Sequence, residues 1–116
     1  MGAFQIAKMT LEMVGGFRVS QCLGGPAAVE KVRDLNPDLL LLDAMMPEMD
    51  GPALLKLLRD SGFCSDTLVI FMTGRVESEE VASFMKLGVK GVIPKPFDPM
   101  TLSAQVEKLW NRPPDP

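Results

Sequence analysis

Four consecutive leucines, Leu39 to Leu42, run directly into an acidic residue, Asp43, and no other feature constrains the fold of this chain as tightly. Four apolar positions are too few for a helix of typical length. They are also too uniform for a half-exposed strand, in which apolar and polar side chains alternate. The run suits a central parallel strand covered on both faces.

The flanking sequence follows the same logic. Phe4, Ile6, Ala7, Leu11 and Val14, with Met9 and Met13, can be placed on a broad helical face that Gly15-Gly16 closes. The methionines of this stripe read as core filler, the usual role of an unbranched thioether at helical spacing. Phe17 to Leu23 reads as a short strand, although its alternation around Val19 and Gln21 is imperfect. Gly24-Gly25-Pro26 then leads into a helix ending near Leu35, with the proline accommodated in the first turn. Asn36-Pro37-Asp38 forms the turn before the leucine run. Beyond Asp43 the pattern predicts a helix over Pro52–Ser61, a strand over Thr67–Met72, a helix over Ser78–Leu87, a strand over Gly91–Ile93 and a helix over Pro99–Trp110. Strict alternation of this kind predicts an α/β fold with a parallel sheet and right-handed crossovers.

Length and charge narrow the functional classes. With 116 residues the chain has room for one domain, assigned here to residues 1–110, and the proline-rich segment 111–116 is a tail or linker stub. A net charge of -3 disfavours direct binding to a nucleic-acid backbone. Cys22 and Cys64 lack CxxC spacing, and the chain has no histidine to complete a metal set with them. No apolar stretch approaches the roughly 20 residues that span a bilayer, and no leader pattern opens the chain, so a cytoplasmic location is expected.

Three polar residues follow the last three expected strands: Asp43, Thr73 and Lys95. A parallel sheet brings such strand ends to one edge. A carboxylate, a hydroxyl and an ammonium meeting there could form a phosphoryl site, with the carboxylate as nucleophile and the other two facing the added oxygens. Taken singly, each is more simply an ordinary strand-end or turn residue.

Together with their surroundings these residues are more specific. Asp38-Leu39-Leu40-Leu41-Leu42-Asp43-Ala44-Met45-Met46-Pro47-Glu48-Met49-Asp50-Gly51 resembles the phosphorylation loop of response-regulator receivers, and Thr73-Gly74 and Pro94-Lys95-Pro96-Phe97 follow at the spacing of that family. The resemblance runs from the first helix to the last. It implies the flavodoxin-like (βα)5 receiver fold, with Asp43 as the acceptor that becomes an aspartyl phosphate. Thr73 resembles the switch hydroxyl and Lys95 the ammonium that pairs with the phosphoryl group, with a cis peptide expected at Lys95-Pro96. Met45 resembles the residue whose main-chain carbonyl helps to hold a magnesium ion, alongside Asp43. Met46-Pro47 and Asp50-Gly51 shape the loop after the acceptor. Arg75, two past the switch threonine, is placed to reach a phosphodonor or to remain a solvated loop residue. Val92 occupies the position at which many receivers carry an aromatic switch residue, a part valine cannot play.

Receivers of this family open with an apolar strand ending in two adjacent acidic residues that bind magnesium. No such strand or adjacent acidic pair is found near the start of this sequence, and Glu12 lies too far along the first helix to substitute. In the strand order 2-1-3-4-5 that strand is central, so its absence implies an unpaired edge. Truncation is the expected origin. Its expected result is direct pairing of the second and third strands or a homodimer that shares segments across the incomplete sheet.

The resemblance implies a phosphoacceptor module of a two-component or phosphorelay system, served by a histidine kinase or phosphotransfer protein and signalling through conformational change. The retained Asp43, Thr73 and Lys95 favour this reading. The missing acidic pair favours the alternative, a pseudo-receiver that binds partners without phosphorylation. An α/β enzyme is disfavoured, because no GxGxxG loop follows a strand and no histidine is available as a general base.

Overall fold

The leucine run folds as its uniform apolarity predicts, into a strand that ends at Asp43. The computed structural model describes residues 3–20, 25–44, 51–62, 67–74 and 77–111. Its elements in chain order are α1 (Ala3–Met13), α2 (Gly25–Leu35), β1 (Leu39–Asp43), α3 (Gly51–Asp60), β2 (Leu68–Thr73), α4 (Ser78–Met85), β3 (Gly91–Pro94) and α5 (Leu102–Trp110). The strands are parallel and lie in the order β1-β2-β3, so they are the third, fourth and fifth of the expected set. Among the described residues, no helix is long and apolar enough to cross a membrane.

β2 carries the sequence Leu-Val-Ile-Phe-Met-Thr and is buried from Val69 to Thr73. Its apolar side chains suit a strand paired on both sides and covered on both faces. β1 differs from expectation here. Leu39, Leu40 and Leu41 are only half-buried, and among the described residues β1 pairs with β2 alone. The expected pairing between the second and third strands is therefore not seen among the described residues, and β2 is the central strand.

Two compact units make up the chain, Cys22–Lys95 and the pair of segments Met1–Gln21 and Pro96–Pro116. In the first unit, Val32 of α2 and Leu54, Leu55 and Leu58 of α3 pack with Leu42, Ala44, Val69, Phe71 and Val89 in one apolar cluster. The spacing of the three α3 leucines puts them on a single face, while Lys56 and Arg59 are exposed on the other side. Burial of a leucine of this kind contributes about 1.5–3 kcal/mol. α3 stops at Gly62, which takes a φ of 81° and donates its N–H to the Arg59 carbonyl at 3.0 Å. That left-handed geometry is accessible to glycine without a Cβ penalty. The Arg59 guanidinium in turn donates to the carbonyl of Leu87, tying α3 to the turn after α4.

In the second unit α1 and α5 pack together. Ser103 Oγ donates to the Thr10 carbonyl at 3.2 Å, and the rings of Phe17 and Trp110 stack with centroids 5.7 Å apart. Three expectations are corrected here. Phe17–Ser20 is not a strand, and residues 21–23 lie outside the described set. The reason is visible locally: the Phe17 N–H is taken by the Leu11 carbonyl at 3.1 Å and its ring by Trp110. The methionines of α1 are not core. Met9 and Met13 are 44% and 79% exposed, whereas Ala7 and Leu11 are buried. Each pair is four residues apart, and an offset of two places them on opposite faces of the helix. Finally, α5 begins at Leu102 rather than Pro99, because Asp98 organises a turn first. Its side chain accepts from the Met100 N–H at 2.8 Å, and its carbonyl accepts from the N–H groups of Thr101 and Leu102.

Candidate functional site

Strand register assembles the site. Asp43 is level with Met72 across β1 and β2, and Thr73 is level with Pro94 across β2 and β3, so Lys95 lies one residue beyond. The three candidate residues are therefore offset by one register step each, from Asp43 to Thr73 to Lys95, and share the carboxyl edge of the sheet. Backbone bonds lock this stagger. The Ala44 N–H donates to the Met72 carbonyl at 2.8 Å, and the Lys95 N–H donates to the Thr73 carbonyl at 2.8 Å.

The side chains then converge. Lys95 Nζ donates to Asp43 Oδ1 at 2.9 Å, joining two strand ends that are 52 residues apart in sequence. Asp43 is 8% exposed and Thr73 1% exposed, while the Lys95 side chain keeps 29% of its surface. A charge-assisted bond of this length holds the carboxylate in one orientation. The carboxylate is thus buried beside its cation, which compensates the cost of taking the charge out of water.

Of the residues singled out from sequence, Asp43, Thr73 and Lys95 are brought to one edge, and Asp43 and Lys95 are in direct contact. Met45 and Arg75 lie outside the described residues. Val92 is half-buried on β3 and packs against the apolar cluster. Sequence reasoning gave too little weight to Gly51. Its N–H donates to the Ala44 carbonyl at 3.1 Å, so the chain that leaves Asp43 comes back to the same strand end. The only signal for this was a glycine at the close of the loop, which reads equally well as a turn residue.

Magnesium is the metal that response-regulator receivers use, and the described residues supply few donors for it. They offer a single carboxylate at this edge, Asp43, already paired with Lys95, and no group of three metal-ligating side chains occurs among them. Magnesium takes near-octahedral oxygen coordination with one or two carboxylates, waters and phosphate oxygens. The described donor set does not complete such a shell.

Comparison with known proteins places this geometry in context. A family model described as the response regulator receiver domain matches residues 3–107. The transcriptional regulatory protein CseB of Streptomyces coelicolor is 33% identical over 97 residues, covering 84% of this chain and 40% of that protein. The DNA-binding response regulator MtrA of Mycobacterium tuberculosis is 35% identical over 98 residues, covering 84% of this chain and 41% of that protein. The chain thus spans about two fifths of the length of the curated relatives it matches. Among solved structures, the receiver domain of the Francisella response regulator 1452 superposes with a TM-score of 0.79 at 30% identity, covering 93% of this chain and 87% of that one. The chemotaxis response regulator CheY4 of Vibrio cholerae gives a TM-score of 0.81 at 26% identity, covering 90% and 87%. The fold is accordingly flavodoxin-like, with the three described strands as part of its parallel sheet.

Proposed function

The chain belongs to the response regulator receiver domain family, whose members act in two-component signalling, and from that membership we propose that Asp43 is the residue phosphorylated by a histidine kinase or a phosphotransfer protein. The observation that carries this reading is the 2.9 Å pair between Lys95 Nζ and Asp43 Oδ1 at the carboxyl edge of the sheet, beside buried Thr73.

The chemistry follows from these groups. A lone pair on an Asp43 carboxylate oxygen forms the new bond to phosphorus while the bond from phosphorus to the donor's imidazole nitrogen breaks. The nitrogen keeps the bonding pair and gains a proton, and an acyl phosphate is left on Asp43. Lys95 supplies positive charge to the added oxygens, and the Thr73 hydroxyl donates to one of them. Asp43 and the Met45 carbonyl are the donors that these positions would contribute to a magnesium ion. Phosphorylation adds about two negative charges to a strand end. Thr73 and Lys95 respond to those charges, and the carboxyl ends of β2 and β3 shift in population with them.

A titration with beryllofluoride and magnesium, followed by NMR on the wild-type chain and on Asp43→Asn, tests the assignment. Saturable binding that the substitution abolishes is the expected result. No binding to a folded wild-type chain would instead make it an interaction module without phosphorylation.

A further inference from the structure

We infer that Gly51 is a positioning residue for the Asp43 site, acting through the room it leaves rather than through its backbone conformation; this inference rests on the reading of Asp43 as the acceptor. A Cβ at position 51 would sit 2.9 Å from the Asp43 carbonyl oxygen, 2.9 Å from the Ala44 Cα and 2.7 Å from a ring carbon of Phe71. Two of those three neighbours are backbone atoms of the acceptor's own strand end, and neither can swing aside as a flexible side chain would. Gly51 is buried, and its φ is not among the left-handed glycine values at Gly16, Gly62 and Gly88. Conformational freedom is therefore not what the position requires.

The contacts explain what the space is for. Gly51 opens α3, and its N–H closes on the Ala44 carbonyl at 3.1 Å, so the first turn of the helix presses against the Asp43-Ala44 peptide. On the far side Phe71 is fully buried and held by Phe84, with ring centroids 5.0 Å apart and planes tilted by 50°. Asp43's main chain is thus fixed between α3 and β2, and the 2.9 Å reach of its Oδ1 to Lys95 Nζ is set by that placement. Adding a methyl group at position 51 moves the Asp43 peptide, and the carboxylate moves with it. A displacement of about 1 Å at such a site can cost about 100-fold.

The test compares Gly51→Ala with Leu58→Ala, a core truncation in the same cluster seven residues farther along α3, under conditions where each is folded. Two readouts are followed: the carbon-13 resonance of the Asp43 side-chain carboxyl without ligand, and the dissociation constant for beryllofluoride. The expected result is a displaced Asp43 resonance and at least tenfold weaker binding in Gly51→Ala, with both near wild type in Leu58→Ala. The double variant Gly51→Ala/Phe71→Leu removes the ring clash but keeps the methyl against backbone, and it serves where the single variant does not fold. It is expected to show the same displaced resonance. An Asp43 resonance and affinity unchanged by the methyl, or changed to the same extent in Leu58→Ala, would overturn the inference. Should the wild-type chain not bind beryllofluoride, the phosphoacceptor reading fails, and the Asp43 resonance alone decides whether Gly51 positions that carboxylate.

Discussion

Lys95 Nζ lies 2.9 Å from Asp43 Oδ1, and the pair reaches from the end of β3 to the end of β1 past the end of β2, where Thr73 is buried. The contact exists because parallel pairing sets Asp43 level with Met72 and Thr73 level with Pro94, so that Lys95 follows one residue beyond. A carboxylate 8% exposed beside an ammonium is therefore a product of register, not of proximity in sequence.

Removing the ammonium tests that arrangement. Lys95→Ala is expected to slow phosphorylation of Asp43 by roughly 100-fold or more, the scale seen when one preorganised charge donor is deleted from a transition-state site. Because the lysine is partly exposed but its carboxylate partner is buried, its loss should lower folding stability by about 1–3 kcal/mol. Phosphorylation kinetics with a small-molecule donor, set beside urea denaturation, separate the two effects.

The Thr73 hydroxyl is expected to act on the phosphoryl group rather than on the fold. Thr73→Val keeps nearly the same volume at a position 1% exposed. Loss of a hydrogen bond to a charged group should weaken beryllofluoride binding by about tenfold or more, while stability changes by about 1–2 kcal/mol. Isothermal titration and a thermal melt on the same sample give both values.

Core truncation should do the reverse. Leu58 is fully buried in the cluster beneath β1 and β2. Leu58→Ala is expected to destabilise the chain by about 2–5 kcal/mol through lost transfer energy and a residual cavity. Denaturant unfolding measures the loss, and beryllofluoride affinity in the folded fraction should stay near the wild-type value.

The stack of Phe17 on Trp110 gives a prediction for the unit of α1 and α5. Trp110→Ala removes a ring pair with centroids 5.7 Å apart and should lower stability by about 1–2 kcal/mol. Trp110→Phe should retain most of it. Circular dichroism is the appropriate probe, since the substitution removes the chain's single tryptophan.

Much of this was legible in the sequence for a definite reason. The apolar runs of β1, β2 and β3 read as parallel strands, and their ends place Asp43, Thr73 and Lys95 at one edge; the full burial expected of a central strand holds for β2, whereas Leu39 to Leu41 of β1 are half-buried. Element boundaries were less legible. α5 starts three residues later than its proline suggested, because Asp98 uses side chain and carbonyl to build a turn first.

Other features depended on tertiary context. Phe17–Ser20 has strand-like residues, but its first N–H bonds to α1 and its aromatic ring to α5. Met9 and Met13 have helical spacing, yet that spacing is shared by two opposite faces of α1, and periodicity alone does not say which is inward. Gly51 is the sharpest case. A glycine after an aspartate reads as a turn, and only the atoms of Asp43, Ala44 and Phe71 around it show that the missing Cβ is what matters.

The central claim is that Asp43 accepts a phosphoryl group. The direct measurement is incubation of the chain with phosphoramidate and magnesium, followed by intact-mass analysis and borohydride trapping of the acyl phosphate with peptide mapping. One phosphoryl group per chain, trapped at Asp43 and absent from Asp43→Asn, is the predicted result. A folded chain that gains no phosphoryl group, or gains one that persists in Asp43→Asn, would contradict the account.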